Sequence, residues 1–173
     1  RARTRTFARR KILLTSTPTI AGRSRIEQAF NESDQRRYYV PCPHCGFMQV
    51  IKWANLKWDE KKPDDVYLEC EQNQCEIREH HKTNMLESGE WRSDNPSPKS
   101  LKIAGFHINS LYSPVGWFSW ADAVKLWIDS YKYPDRLRAF VNTVLGEVWR
   151  EQGDAPDWRR LYDRRENFQL GVI

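Results

Sequence analysis

The 173-residue chain carries 28 Lys and Arg against 23 Asp and Glu, and its mean hydropathy of −0.80 marks a polar protein. No run of about 18 apolar residues is present, which excludes a membrane-spanning helix, and no basic segment followed by an apolar one opens the chain as a secretory signal would. The length suits one ordinary domain or two small pieces, for which eight Trp, seven Tyr and seven Phe supply core material that the aliphatics alone would not.

The first 25 residues hold eight Arg or Lys and no Asp or Glu. Such an end favours a polyanion partner, most often nucleic acid. A solvated face, or one whose acidic partners lie elsewhere, explains the charge equally well. With no Met at its start and a strand soon after, the chain reads as a piece of something larger. Lys11-Ile-Leu-Leu-Thr15 is a short apolar run expected as a buried parallel strand. It ends in Ser16-Thr17-Pro18-Thr19, and polar loops at the carboxyl ends of parallel strands are where α/β proteins place ligands. Ser24-Arg-Ile-Glu27 has the form of a capping box, which predicts a helix of about two turns carrying Ile26, Ala29 and Phe30 inward.

Tyr38-Tyr39-Val40 leads as a strand into Cys42-Pro-His-Cys45-Gly46, and residues 47 to 52 lead out as another. Val66 to Leu68 enters a second cysteine pair, Cys70 and Cys75. The spacing is C-x2-C-x24-C-x4-C and uses every cysteine in the chain. Two close pairs on tight turns, brought together by the segment between them, suit one tetrahedral zinc, and four thiolates leave no open position for water, so the role is structural. Two disulfides, or four free thiols, are the alternatives, and His44, His80 and His81 are reserve ligands. Trp53 and Trp58 are expected to sit in a charged loop, Asp59 to Asp65, that projects into solvent. A helix is expected over 78–87, anchored by Met85 and Leu86.

Asn95-Pro-Ser-Pro98 is a turn-rich joint and a natural module boundary. Lys102 to Ile108 reads as a strand interrupted by Gly105. Ser119-Trp-Ala-Asp122 is a second capping box. Behind it, Trp120, Val124, Trp127, Ile128 and Tyr131 share one helical face. Pro134 opens a further helix with Leu137, Phe140, Val141, Val144 and Leu145 as its apolar set. The tail from Asp157 to Glu166 reads as a helix and Phe168 to Ile173 as the start of a strand. No phosphate loop, Rossmann glycine pattern or nucleophile elbow occurs, so no catalytic residue is legible in the chain itself.

Several of these stretches, in order, resemble the large terminase subunit of tailed bacteriophages, the lambda-like gpA family. They are Lys11 to Thr19 with Gly22 to Ile26, Tyr38 to Gly46, Gly105-Phe-His-Ile-Asn-Ser-Leu-Tyr-Ser-Pro114, and Phe140-Val-Asn-Thr-Val-Leu-Gly-Glu-Val-Trp149. The resemblance implies a mixed α/β fold: the C-terminal part of a P-loop ATPase domain with an inserted zinc-ribbon-like β module and a helical pair. The implied divisions are 1–35 for the last ATPase strand and coupling motif, 36–92 for the zinc-ribbon-like insertion, 93–155 for a strand and helical pair completing the ATPase region, and 156–173 for a linker toward a nuclease domain.

The function so implied is that of a viral DNA-packaging motor, which couples ATP hydrolysis to movement and cutting of DNA. Ser16, Thr17 and Pro18 match the family's coupling motif, and Cys42, Cys45, Cys70 and Cys75 would hold zinc; Arg23 or Arg25 would contact phosphate on ATP or DNA, with a solvated helix start as the equal alternative. ATP and Mg²⁺ would be bound by the parent protein, and this chain alone would be inactive. The implied partners are double-stranded viral DNA, the small terminase subunit and the portal, in a homo-oligomeric motor in the host cytoplasm, with no membrane. The alternative is a stand-alone zinc-ribbon module that binds DNA or protein.

Overall fold

The computed structural model describes Thr6, Arg9, residues 11–98 and residues 103–150. The expected tail helix and closing strand lie outside the described residues, as do Lys102 and most of the basic residues before Lys11. Among the described residues no helix is long and apolar enough to cross a membrane.

The expected strand over 11–15 is absent. Ile12, Leu13 and Leu14 are exposed, Leu13 to 87%, because no described segment offers this run a hydrogen-bonding ladder. Among the described residues, Pro18 is the first that is buried, and the first strand-like pairing is a parallel bridge between Ile20 and Trp149. Helix α1 (Arg25–Asn31) starts at Ser24 as expected, but its side chains are used differently. Gly22, at φ +75°, turns the chain back over the helix start. Ser24 Oγ therefore accepts from the Thr19 amide at 3.3 Å, and Glu27 Oε2 from the Gly22 amide at 2.8 Å.

Strand β1 (Arg36–Pro41) is the spine of the first sheet. It pairs antiparallel with β2 (Met48–Gln49), Val40 opposite Gln49. A second sheet is an antiparallel meander of β3 (Leu56–Asp59), β4 (Lys62–Glu69) and β5 (Glu76–Ile77), with Leu56, Leu68 and Ile77 aligned across it. The expected solvent loop after Trp58 is thus a tight hairpin, closed where the Lys61 amide donates to Asp59 Oδ1. Beyond β5, a 3-10 turn at Glu79–His81 runs into α2 (Lys82–Glu87), which buries Met85. Strand β6 (Glu90–Ser93) then returns antiparallel to β1, and β7 (Phe106–His107) joins β1 in parallel. The interruption at Gly105 is a close approach: a Cβ there would lie 1.9 Å from Ser33 Oγ. Its amide donates to Asp34 Oδ1 and its carbonyl accepts from the Arg36 amide.

Helix α3 (Trp120–Ser130) carries the complete expected capping box. Ser119 Oγ accepts from the Asp122 amide at 2.9 Å, and Asp122 Oδ2 from the Ser119 amide at 3.0 Å. These two bonds hold the Asp122 carboxyl below its ordinary pKa. Helix α4 (Pro134–Thr143) has Pro at its first turn, and Gly146 at φ +63° turns the chain beyond it. The two helices pack on β3 and β4 through rings that include the supposed loop residues. Trp53 lies 5.3 Å from Trp58, 6.0 Å from Trp127 and 5.0 Å from Phe140, centroid to centroid, and Trp127 stacks on Tyr131 at 4.8 Å. Covering part of each tryptophan ring removes apolar area from water, which explains why Trp53, Trp58 and Trp127 pack together half-buried.

Two buried polar links tie elements distant in sequence. Buried Tyr112 accepts from the Ile51 amide at 2.8 Å and donates to the Tyr38 carbonyl at 2.6 Å, and burial pushes its phenol up to about 12. Lys82, fully buried, meets Glu79 at 2.5 Å and lies over the Trp120 ring, and the same Glu79 oxygen accepts from the Trp120 amide at 3.1 Å.

Candidate metal centre

Cys42 closes β1, and Cys45 follows on a turn. The Gly46 amide donates to the Cys42 carbonyl at 2.8 Å, and the Cys42 amide to the Phe47 carbonyl at 2.8 Å. Gly46 sits at φ +75°, a left-handed conformation that costs glycine nothing. The turn between β4 and β5 repeats this pattern residue for residue. The Gln74 amide donates to the Cys70 carbonyl at 2.9 Å, the Cys70 amide to the Cys75 carbonyl at 3.0 Å, and Gln74 takes φ +53°. The backbones match, but the cysteines do not. The first turn places its thiols at the first and fourth positions, and the second at the first and sixth. Asn73 stands at the fourth position of the second turn, and Phe47 at the sixth position of the first. This accounts for the loose second spacing: the turn is an ordinary knuckle whose second cysteine has moved two residues along.

The four sulfurs lie within 4.8 Å of one another. Cys45 and Cys70 Sγ are 3.6 Å apart, far beyond the roughly 2.05 Å of a disulfide. Four sulfurs about 2.3 Å from a central zinc would be about 3.8 Å apart, so the cage has the size of a tetrathiolate site. Burial pushes the Cys42 thiol up to about 12, whereas the Phe47 amide beside exposed Cys45 brings that thiol down to about 7. Burial also raises Cys75. A divalent cation would hold all four as thiolates. An all-sulfur set suits a soft or borderline ion and not Mg²⁺ or Ca²⁺.

Around the cage, buried Gln49 accepts from the Glu71 amide at 2.9 Å, so a β2 side chain braces the second turn. Lys52 and Asn55 hold the Glu71 carboxylate from the other side. The reserve histidines stand outside the cysteine group. His44 donates from Nε2 to the Glu76 carbonyl at 3.0 Å, and the His81 ring lies 5.3 Å from His44 and 4.0 Å from His80. Burial, then the neighbouring His80 and His44, keep His81 below its ordinary pKa.

The other predicted site residues lie on a different part of the chain. Ser16 and Thr17 are exposed, with Ser16 Oγ donating to the Thr17 carbonyl at 2.8 Å. Arg23 and Arg25 are exposed on either side of buried Ser24. The segment after Pro18 runs beside Trp149 and Asn142. Asn142, Gln49 and Lys82 escaped the sequence reading. Lys82 alone left a signal, since it is three residues before Met85 on the apolar face of α2.

The phage terminase large subunit gpA ATPase-domain model matches residues 1–91, and the terminase large subunit gpA endonuclease-domain model matches residues 103–173. The large terminase subunit of Enterobacteria phage P21 is 37% identical over 185 residues, covering 91% of this chain and 28% of that protein. The large terminase subunit of Escherichia phage lambda is 32% identical over 179 residues, with the same two coverages of 91% and 28%. The chain thus spans 28% of the length of these curated relatives. No solved structure matches it.

Proposed function

The chain belongs to the phage terminase large-subunit gpA family, and from that premise we propose that it is the joint of a DNA-packaging motor, where the end of an ATPase domain, a structural zinc module and the beginning of an endonuclease domain meet. The observation that carries this is the order of the two family matches, 1–91 and then 103–173. The interval between them contains the Asn95-Pro-Ser-Pro98 turn, and we put the boundary there. The strand and helical pair of 103–150, which the sequence alone assigned to the ATPase region, then stand with the nuclease side. Residues 1–35 remain the end of the ATPase core and 36–92 the zinc-ribbon-like module.

In this reading Ser16 and Thr17 sit where a central strand of the ATPase core ends, beside the γ-phosphate. Hydroxyls there bond differently to a triphosphate and a diphosphate, and that difference biases a two-state motion. Their exposure leaves them free to do so. Arg23 or Arg25 offers a guanidinium to phosphate on ATP or DNA. The parent protein supplies the phosphate loop, the Mg²⁺ site and the nuclease carboxylates. Its partners are double-stranded viral DNA, the small terminase subunit, the portal and further copies of itself. Cys42, Cys45, Cys70 and Cys75 hold one zinc, whose binding contributes on the order of 10 kcal/mol to folding the module.

The test is made on the full-length parent. Thr17→Ala is expected to weaken DNA packaging several-fold more than ATP hydrolysis. Packaging at the wild-type rate would remove the coupling assignment.

A further inference from the structure

Thr19, the residue after the exposed Ser16-Thr17 pair and buried Pro18, is held at both of its backbone groups. Its amide donates to Ser24 Oγ at 3.3 Å. Its carbonyl accepts from the Trp149 amide at 2.8 Å and from Asn142 Nδ2 at 3.0 Å, which occupies both lone pairs. The Ala21 amide donates back to the Trp149 carbonyl at 2.9 Å, completing the parallel bridge at Ile20. Asn142 Nδ2 also donates to the Glu147 carbonyl at 2.8 Å, so one amide group joins Thr19 to the turn between α4 and Trp149. Upstream of Pro18 the chain is exposed from Lys11 to Thr17. The result is an exposed arm bearing the hydroxyls of Thr15, Ser16 and Thr17, with a fixed base at Thr19.

The fixed base spans the joint. Thr19 to Ser24 lie in the stretch matched by the ATPase-domain model, and Asn142 to Trp149 in the stretch matched by the endonuclease-domain model. A displacement of the arm is passed to whatever holds its base. Here that is the end of α4 and the strand-like segment at Trp149, with no flexible spacer between.

We propose that Asn142 is a positioning residue for the Ser16-Thr17 coupling hydroxyls, and that the Thr19, Asn142 and Trp149 bonds are the mechanical link from the ATPase side to the nuclease side. The inference rests on the motor reading given above. Asn142 touches neither nucleotide nor DNA in this account. It acts by fixing the residue against which the coupling arm moves.

The experiment uses the full-length parent, with DNA length packaged per ATP hydrolysed as the readout, beside kcat and KM for ATP and the zinc content of each variant. Asn142→Asp keeps the shape but presents an acceptor to the Thr19 carbonyl. Ser24→Ala releases the Thr19 amide without touching Glu147. Each is expected to lower DNA moved per ATP, by about fivefold for Asn142→Asp and less for Ser24→Ala, with KM for ATP held and one zinc retained. Asn142→Gln, which keeps the amide donor, is expected to recover part of the loss. Hydrolysis and packaging falling in parallel, or a ratio unmoved in both variants, overturns the inference while leaving the motor reading in place. A wild-type parent that moves no DNA with ATP overturns both.

Discussion

Lys82 shows how one residue can join two parts of the molecule. Its ammonium is wholly out of water, paired with a Glu79 carboxylate that also receives the Trp120 amide at the start of α3. A buried charge is tolerated only with a partner, and removing one member strands the other. Lys82→Ala should therefore lower stability by about 3 kcal/mol in urea denaturation, at the low end of the range because Glu79 remains 25% exposed. The pair Lys82→Met with Glu79→Gln should cost much less, since the Gln oxygen still accepts from Trp120. Equal losses in the single and double variants would show that the ion pair is not what matters. Lys82 was nearly legible in the sequence, being in register with Met85, but its partner lies in the preceding 3-10 turn and sequence spacing does not reveal which carboxylate turns inward.

At the scale of elements, the two cysteine turns share a backbone and differ in where the second thiol is attached. Protein purified without chelator should carry one zinc per chain, and Cys75→Ser should lose it. Because Asn73 stands where the first turn carries Cys45, the double variant Asn73→Cys with Cys75→Ser should bind zinc again. Failure of the double variant, with the fold retained, would mean that the sixth position is required and that the likeness of the turns stops at the backbone. The four cysteines were legible as a set because thiols at this spacing have few other uses. The capping box at Ser119 was legible because both of its bonds span only three residues. The one at Ser24 was not, since Gly22 turns the chain back and brings amides five positions upstream, outside the capping-box spacing, within reach of the same side chains. Trp53 and Trp58 were misread because the charges around them dominate the local composition, whereas the rings packed on them come from α3 and α4, about 70 to 90 positions further on.

For the whole molecule, the exposed run at Ile12 to Leu14 and the anchored residue at Thr19 belong together. The run is exposed and unpaired among the described residues, and under the proposed motor function the ATPase core of the parent would offer it a partner strand. The buried strand expected at Lys11 to Thr15 is thus not borne out, because an apolar run reveals nothing about whether a partner strand is there to pair with it. The zinc-ribbon-like module packs on the helical pair through Trp53, Trp58 and Trp127, and Thr19 is bonded to Trp149, so the ATPase-matched and endonuclease-matched stretches form one packed body and not two beads on a linker.

The measurement that bears most directly on this account is the sequence of the native gene on both sides of the segment. The account predicts a phosphate loop and an acidic Mg²⁺-binding strand upstream of Arg1, and spaced aspartates downstream of Ile173. A start codon immediately before Arg1 and a stop immediately after Ile173 would contradict it, and would leave a free-standing zinc-ribbon module that binds DNA or protein.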